Sequence, residues 1–225
     1  MEDRVLHPYL ESIIESKDFA RCFSKLEDNC INKGIEGSFG ALIKYSGKNL
    51  WLNDFEIMPN LNIGDCTSVK DGLISPDNSL ITTYSKSKLA NPLEEVTKIA
   101  PYFDIHSHPN GVLAPSFLDL LGGFKRLNLT KGNPYFSMIV TKGEDNIFPL
   151  LLIKFSDFLG EKENIKSDLN KEYPSILERM KYDFRMKAEA PNKRLLHVLL
   201  NEHPKKFENI SWEYFVYDLN KRRIK

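Results

Sequence analysis

The sequence predicts an α+β fold, and three observations predict it. Apolar residues near the N-terminus recur at helical spacing, several stretches rich in β-branched and aromatic residues read as strands joined by polar turns, and a helix-like segment in the middle of the chain is followed by two further strands.

In chain order, Leu10, Ile13, Ile14, Phe19, Cys22, Phe23 and Leu26 outline one amphipathic helix from Pro8 to about Asn29, which Asn32-Lys33-Gly34 stops. Phe39 to Tyr45 and Leu50 to Met58 read as a hairpin about the Ser46-Gly47-Lys48-Asn49 turn, closed by Pro59. The stretch from Asn60 to Asn91 is rich in Asn, Asp, Ser, Gly and Lys and reads as a long, partly structured loop with one strand-like piece at Leu80 to Tyr84. A short helix at Pro92 to Ile99 carries Glu94 and Glu95 in its first turn, where the helix dipole favours them. A strand at Tyr102 to His106, a helix from Ser116 to about Leu127, and strands at Tyr135 to Thr141 and Phe148 to Phe155 follow. Beyond Gly160 the chain turns Lys- and Glu-rich, with helices expected at Glu161 to Tyr173, Ser175 to Ala190 and Lys193 to Leu200 before an aromatic patch at Trp212 to Tyr217. Two units are therefore expected, a domain at residues 1–158 and a mainly helical C-terminal extension at 159–225.

Composition excludes several classes of function. A 41% hydrophobic and 28% charged chain of 225 residues is that of a folding globular protein rather than a disordered one. Thirty-one basic residues offset 31 acidic ones, so no global field exists to hold a nucleic acid or an anionic membrane. The first residues lack a basic-then-apolar leader, and apolar runs near Leu150 to Ile153 are far too short to span a bilayer, so a cytoplasmic location with no membrane partner is expected. Cys22, Cys30 and Cys66 are odd in number, far apart and unpaired by any C-x-x-C, which points to inert thiols.

The chemistry concentrates in one segment. His106 and His108 lie two apart at the end of a strand, where alternation turns both imidazoles to one face and lets them share a metal. A catalytic zinc needs a third protein ligand and an open position, and Asp119, in the first turn of the helix that begins near Ser116, answers that need. The string is H-S-H-P, six more residues, then S-F-L-D. Alone, each half has an ordinary explanation: paired histidines are common at strand ends, and Ser116-x-x-Asp119 has the form of a helix capping box. Their conjunction at this separation, after a strand and before a helix, favours the metal.

This pattern, H-x-H, seven residues, S-x-x-D, resembles the signature of the JAMM (JAB/MPN-type) zinc metalloproteases, which include deubiquitinating enzymes and their prokaryotic relatives. The resemblance implies an MPN/JAB-like mixed sheet flanked by helices over roughly residues 8–158, and one zinc per chain held by His106, His108 and Asp119. It also implies a glutamate ahead of the first strand as general base, for which Glu36 corresponds, with Glu56 as the rival. The family spacing places a glycine three residues after the glutamate, whereas Gly40 lies four after Glu36, so a one-residue shift or bulge is implied. Ser116 would then steady the oxyanion while Glu36 takes and returns the proton.

The activity so implied is that of a metallopeptidase cutting an amide or isopeptide bond after the C-terminal glycine of a ubiquitin-like protein or its conjugate, whose tail adds a strand to an exposed edge near the zinc. A hydrolase of small conjugates on the same zinc site, and a non-catalytic MPN-type scaffold, are the alternatives. The C-terminal extension is expected to pack against the domain or to select a protein partner, and Lys221-Arg222-Arg223 to be a solvated tail.

Overall fold

The helical spacing between Pro8 and Asn29 is taken up by two helices rather than one. In the computed structural model, which describes residues 8–46, 49–57, 62–63, 98–109, 111–127, 130, 134–156, 165–189, 206–207 and 209–224, α1 spans Pro8–Ile14 and α2 spans Lys17–Asn29. Ser16 causes the break: its backbone is extended and its Oγ accepts the N–H of Phe19 at 3.1 Å, an N-cap that starts a new helix. Both helices still bury the apolar set that the spacing picks out, from Leu10 to Leu26. A 3-10 turn at Ile31–Lys33 follows and ends on Gly34, left-handed at φ 67°.

The hairpin is present as β1 (Gly37–Ser46) and β2 (Asn49–Ile57), antiparallel and paired up to Ser46 and Asn49. Met58 and Pro59 lie outside the described residues, as does the expected Asn60 to Asn91 loop apart from β3 (Asn62–Ile63), which pairs with Gly37 and Ser38 of β1. The helix expected at Pro92 to Ile99 needs correction at its end. Lys98 and Ile99 belong to β4 (Lys98–Ser107), paired with Tyr45 and Lys44 of β1. Pro101 disfavours helical backbone at Ala100, and the extended ladder prevails.

The middle of the chain follows its pattern, with α3 at Phe117–Leu127, β5 at Tyr135–Val140 and β6 at Ile147–Phe155. Asp145 and Asn146, at φ 51° and 62°, form the two-residue turn before β6.

The C-terminal part departs most from expectation. The two helices expected on either side of Pro174 are one, α4 (Ile165–Glu189), because Ile165, Leu169, Ile176 and Met180 form a continuous apolar stripe whose burial outweighs the hydrogen bond lost at proline. The Lys193 to Leu200 helix lies outside the described residues. The extension holds more than the expected helices. It also supplies β7 (Lys206–Phe207), β8 (Ile210–Asp218) and β9 (Arg223–Ile224), and the aromatic patch is β8 itself, paired along its whole length with β6. Arg223 lies in β9 and Lys221 reaches Asp218 at 3.5 Å, so the basic run is folded into a turn rather than left as a tail.

One mixed sheet runs β2-β1-β4-β5-β6-β8-β7, with β3 added to β1 and β9 to β8. Only the β4–β5 pair, joined through α3, is parallel among these pairings. One face packs on α1 and α2 through Phe19, Phe23, Phe103, Ile105 and Tyr217. The other packs on α3 and α4 through Leu120, Phe124, Ile139, Met180, Trp212 and Tyr214. Strands from both sides of the boundary expected at 158/159 thus share one sheet. No helix among the described residues is long and apolar enough to cross a membrane.

Candidate metal centre

The site forms where β4 ends and α3 begins. Phe103 and Ile105 enter the core under α1 and α2, so alternation sends Asp104 and His106 to the α3 side. His108 continues that face, since its N–H donates to the Val140 carbonyl at 2.8 Å and keeps the chain in line beyond the last strand residue. The chain then turns through Gly111, left-handed at φ 74°, with the Gly111 N–H donating to the His108 carbonyl at 3.3 Å.

Ser116 and Asp119 make a reciprocal cap on α3. The Asp119 N–H donates to Ser116 Oγ at 3.1 Å, and the Ser116 N–H donates to Asp119 Oδ2 at 2.6 Å. The cap thus aims the Asp119 carboxylate back at the strand end. His106 Nε2 and His108 Nε2 stand 3.2 Å apart, and the two oxygens of Asp119 lie 3.5 Å from the first and 3.6 Å from the second. The three side chains put one potential ligand atom each within 4.8 Å of one another, and among the described residues they are the group able to hold a metal ion. His106 is buried, while His108 and Asp119 are half-buried, so the centre opens to one side.

The remaining imidazole nitrogens face acceptors, which determines where the free lone pairs are. His108 Nδ1 lies 3.0 Å from the Val112 carbonyl, and a carbonyl only accepts, so Nδ1 carries the hydrogen and Nε2 the lone pair. His106 Nδ1 faces Asp104 Oδ2 at 3.5 Å, and the other oxygen of Asp104 accepts the Tyr135 hydroxyl at 2.5 Å. Imidazoles whose second nitrogen meets a carboxylate or carbonyl are held and oriented as metal ligands are. Asp104 and Tyr135 escaped the sequence reading. Asp104 could have been found, because it stands two residues before His106 on the same strand face; Tyr135 could not, because it arrives from another strand.

The carboxylates at the cluster favour a positive charge on His106. Burial opposes the charge on His106, but the Asp119 and Asp104 carboxylates outweigh it and hold the imidazole well above its ordinary value. Burial likewise opposes ionisation of Asp119, yet His106, then the hydrogen bonds from His106, His108 and the Ser116 N–H, hold it far below the ordinary carboxylate range. Two nitrogen donors and one carboxylate oxygen that together stabilise a positive charge fit a divalent metal with an open coordination position.

Glu36 lies in the segment leading into β1. The β1–β4 ladder ends with Ser38 paired to His106, two residues after Glu36. Ser107 ties that segment down from the opposite face of β4: its Oγ accepts the Gly37 N–H at 2.9 Å and donates to the Ile35 carbonyl at 3.3 Å. Gly37 lies so close over Cys30 that a Cβ there would overlap the sulfur. The ladder is regular from Ser38 to Ala41 and slips between Ala41 and Leu42, so the bulge implied between Glu36 and Gly40 is not found in that paired stretch. Glu56 pairs with Leu42 on β2, which β1 separates from β4. Its backbone is therefore four residues along β1 from Ser38, roughly 13 Å at strand rise, and a further strand to the side.

Cys22 and Cys30 are buried and burial pushes both thiols up, as inert packing cysteines should behave. Cys66, His7, His197 and His203 lie outside the described residues. No known family profile matches the chain, and no curated protein matches its sequence.

Proposed function

We propose that this chain is a zinc-dependent metallopeptidase of the JAMM type, hydrolysing an amide or isopeptide bond. The observation that carries the reading is the convergence of His106 Nε2, His108 Nε2 and the Asp119 carboxylate, backed by the contacts that orient both imidazoles. His106, His108 and Asp119 would hold the metal, and two imidazoles with one carboxylate are a donor set of catalytic zinc. Zinc supplies Lewis acidity, which activates water near neutral pH and polarises a carbonyl.

The chain's own groups divide the remaining work. Glu36, two residues before the Ser38–His106 pair that ends the β1–β4 ladder, is outside the ligand group and takes a proton from the attacking water, then returns it to the departing amine. Ser116 is exposed beside Asp119, and its hydroxyl can accept the Asp119 N–H while donating its own hydrogen to the carbonyl oxygen as charge develops there. Asp104 holds His106 in the tautomer whose lone pair faces the other two ligands.

For substrate we favour the C-terminal tail of a ubiquitin-like protein, on the strength of the motif. Since β4 is paired with β1 on one side and β5 on the other, such a tail would reach the centre across the strand ends rather than as a neighbour of β4.

The test is elemental analysis followed by cleavage of a panel of ubiquitin-like fusions, with and without a chelator, by wild type, Glu36→Gln and Glu56→Gln. One zinc per chain, chelator-sensitive cleavage and loss of turnover in Glu36→Gln alone are expected. A protein free of zinc after careful preparation, or one fully active after its removal, would falsify the reading.

A further inference from the structure

Chain spacing brings Asp119 within reach of the histidines, but it does not by itself hold the connecting residues 111–115 in one shape. The hold comes from the C-terminal part of the chain. The Tyr214 hydroxyl, buried on β8, lies 2.8 Å from the Met180 carbonyl and 3.3 Å from the Leu113 carbonyl, sharing its one hydrogen between α4 and the connection. Two residues on, the Pro115 carbonyl accepts the Tyr173 hydroxyl of α4 at 3.1 Å. Two further on, the Phe117 ring meets the Tyr173 ring edge to face, with centroids 5.7 Å apart and planes at 89°.

The side chains reinforce the grip. Leu113 is buried in one cluster with Leu120 of α3, Ile176 and Met180 of α4, and Trp212 of β8. The Trp212 Nε1–H donates to Asp183 Oδ2 at 2.8 Å, locking α4 onto β8. Residues 113, 115 and 117 are thus each held from the C-terminal side just before Asp119, and the first two supply carbonyls that lie outside any ladder or helix and need a donor.

We infer that Tyr173 and Tyr214 are positioning residues for the metal centre, and that the C-terminal segment is an integral wall of the site rather than an appendage for choosing partners. They act through the 113–117 connection on Ser116 and Asp119. The inference rests on the metal reading proposed above.

Cobalt(II) is a suitable probe, because its visible d–d spectrum reports ligand geometry and chelator competition reports affinity. The full-length chain would be compared with Tyr173→Phe, Tyr214→Phe and the double variant. Tyr217→Phe is the control: Tyr217 is another buried tyrosine of β8 that faces away from the site and lies 3.5 Å from the Ile14 carbonyl. Each single site variant should weaken cobalt binding by about three- to tenfold, the worth of one net hydrogen bond, with an altered spectrum and faster release. Tyr217→Phe should lose thermal stability and keep wild-type cobalt affinity.

Affinities within twofold of wild type for both site variants, with stability falling as in the control, would overturn the inference and leave the metal reading intact. A wild-type chain that takes up no cobalt would overturn both. Should Tyr214→Phe fail to fold, Tyr173→Phe, altered in a half-buried ring at the surface, decides alone.

Discussion

Ser107 grips both flanks of Glu36: its Oγ accepts the Gly37 N–H at 2.9 Å and donates to the Ile35 carbonyl at 3.3 Å, while His106 and His108 on either side of it face the other way. A residue sandwiched between two candidate ligands thereby holds the segment of the candidate base. Ser107→Ala leaves a buried N–H without this partner, and a loss of about 1–3 kcal/mol of stability is expected. Metal affinity should be retained, whereas turnover should fall because the Glu36 segment loosens. Urea denaturation and chelator competition check this, and an unchanged denaturation midpoint would show that Ser107 does not brace the segment.

Asp104 holds His106 and is itself held by Tyr135. Asp104→Asn removes the charge facing His106 Nδ1 and allows the ring to rotate or change tautomer, so zinc affinity should fall by about 10- to 100-fold in a folded protein. Tyr135→Phe, which frees one oxygen of Asp104, should move affinity in the same direction by less. Competition with a zinc chelator measures both, and wild-type affinity in Asp104→Asn would remove Asp104 from the site.

Ser116 has two roles that one substitution separates. Ser116→Ala loses the Oγ that accepts the Asp119 N–H, which should cost about 1 kcal/mol of stability. The bond to Asp119 Oδ2 comes from the Ser116 backbone N–H and survives, so the carboxylate stays aimed and metal stays bound. Turnover should drop by about 10²- to 10³-fold if the hydroxyl also serves the oxyanion. Lower stability with unchanged turnover of the folded fraction would leave Ser116 as a helix cap and nothing more.

The pH dependence of the chelated protein follows from the His106–Asp119 pair. Asp119 titrates below its ordinary 3.8 in the folded state, so its contribution is present above that value and is lost as pH falls. His106 titrates well above its ordinary 6.5, so its contribution is full below that value and is lost as pH climbs through the raised one. These are two views of one interaction, present in full between 3.8 and 6.5. The chelated protein should therefore lose stability on going alkaline, whereas zinc-loaded protein should gain it, because protons compete with the metal for the same atoms. Thermal unfolding against pH in chelator and in zinc checks the contrast, and parallel profiles would count against a metal at this site.

Spacing along the chain was enough to find most elements and the heart of the candidate site. The apolar set from Leu10 to Leu26, the hairpin ending at Ser46 and Asn49, and the helix after Ser116 all follow from local periodicity and turn chemistry. His106, His108 and Asp119 were legible for the same reason: they lie on one strand end and the next helix start, and local geometry alone turns the histidines to one face. The Ser16 break is equally local, since a capping serine inside a helical pattern starts a new helix. What packing decided lies between residues far apart in the chain. Pro174 stays inside a helix because the stripe around it meets a core, and the aromatic patch becomes β8 because β6 offers an edge to pair with. Tyr135 reaches Asp104 from 31 residues away and Tyr214 reaches Leu113 from 101. No local pattern carries such pairs, since a side chain's partner across the sheet depends on which strands lie side by side, and that order is settled only when the whole sheet buries its two faces.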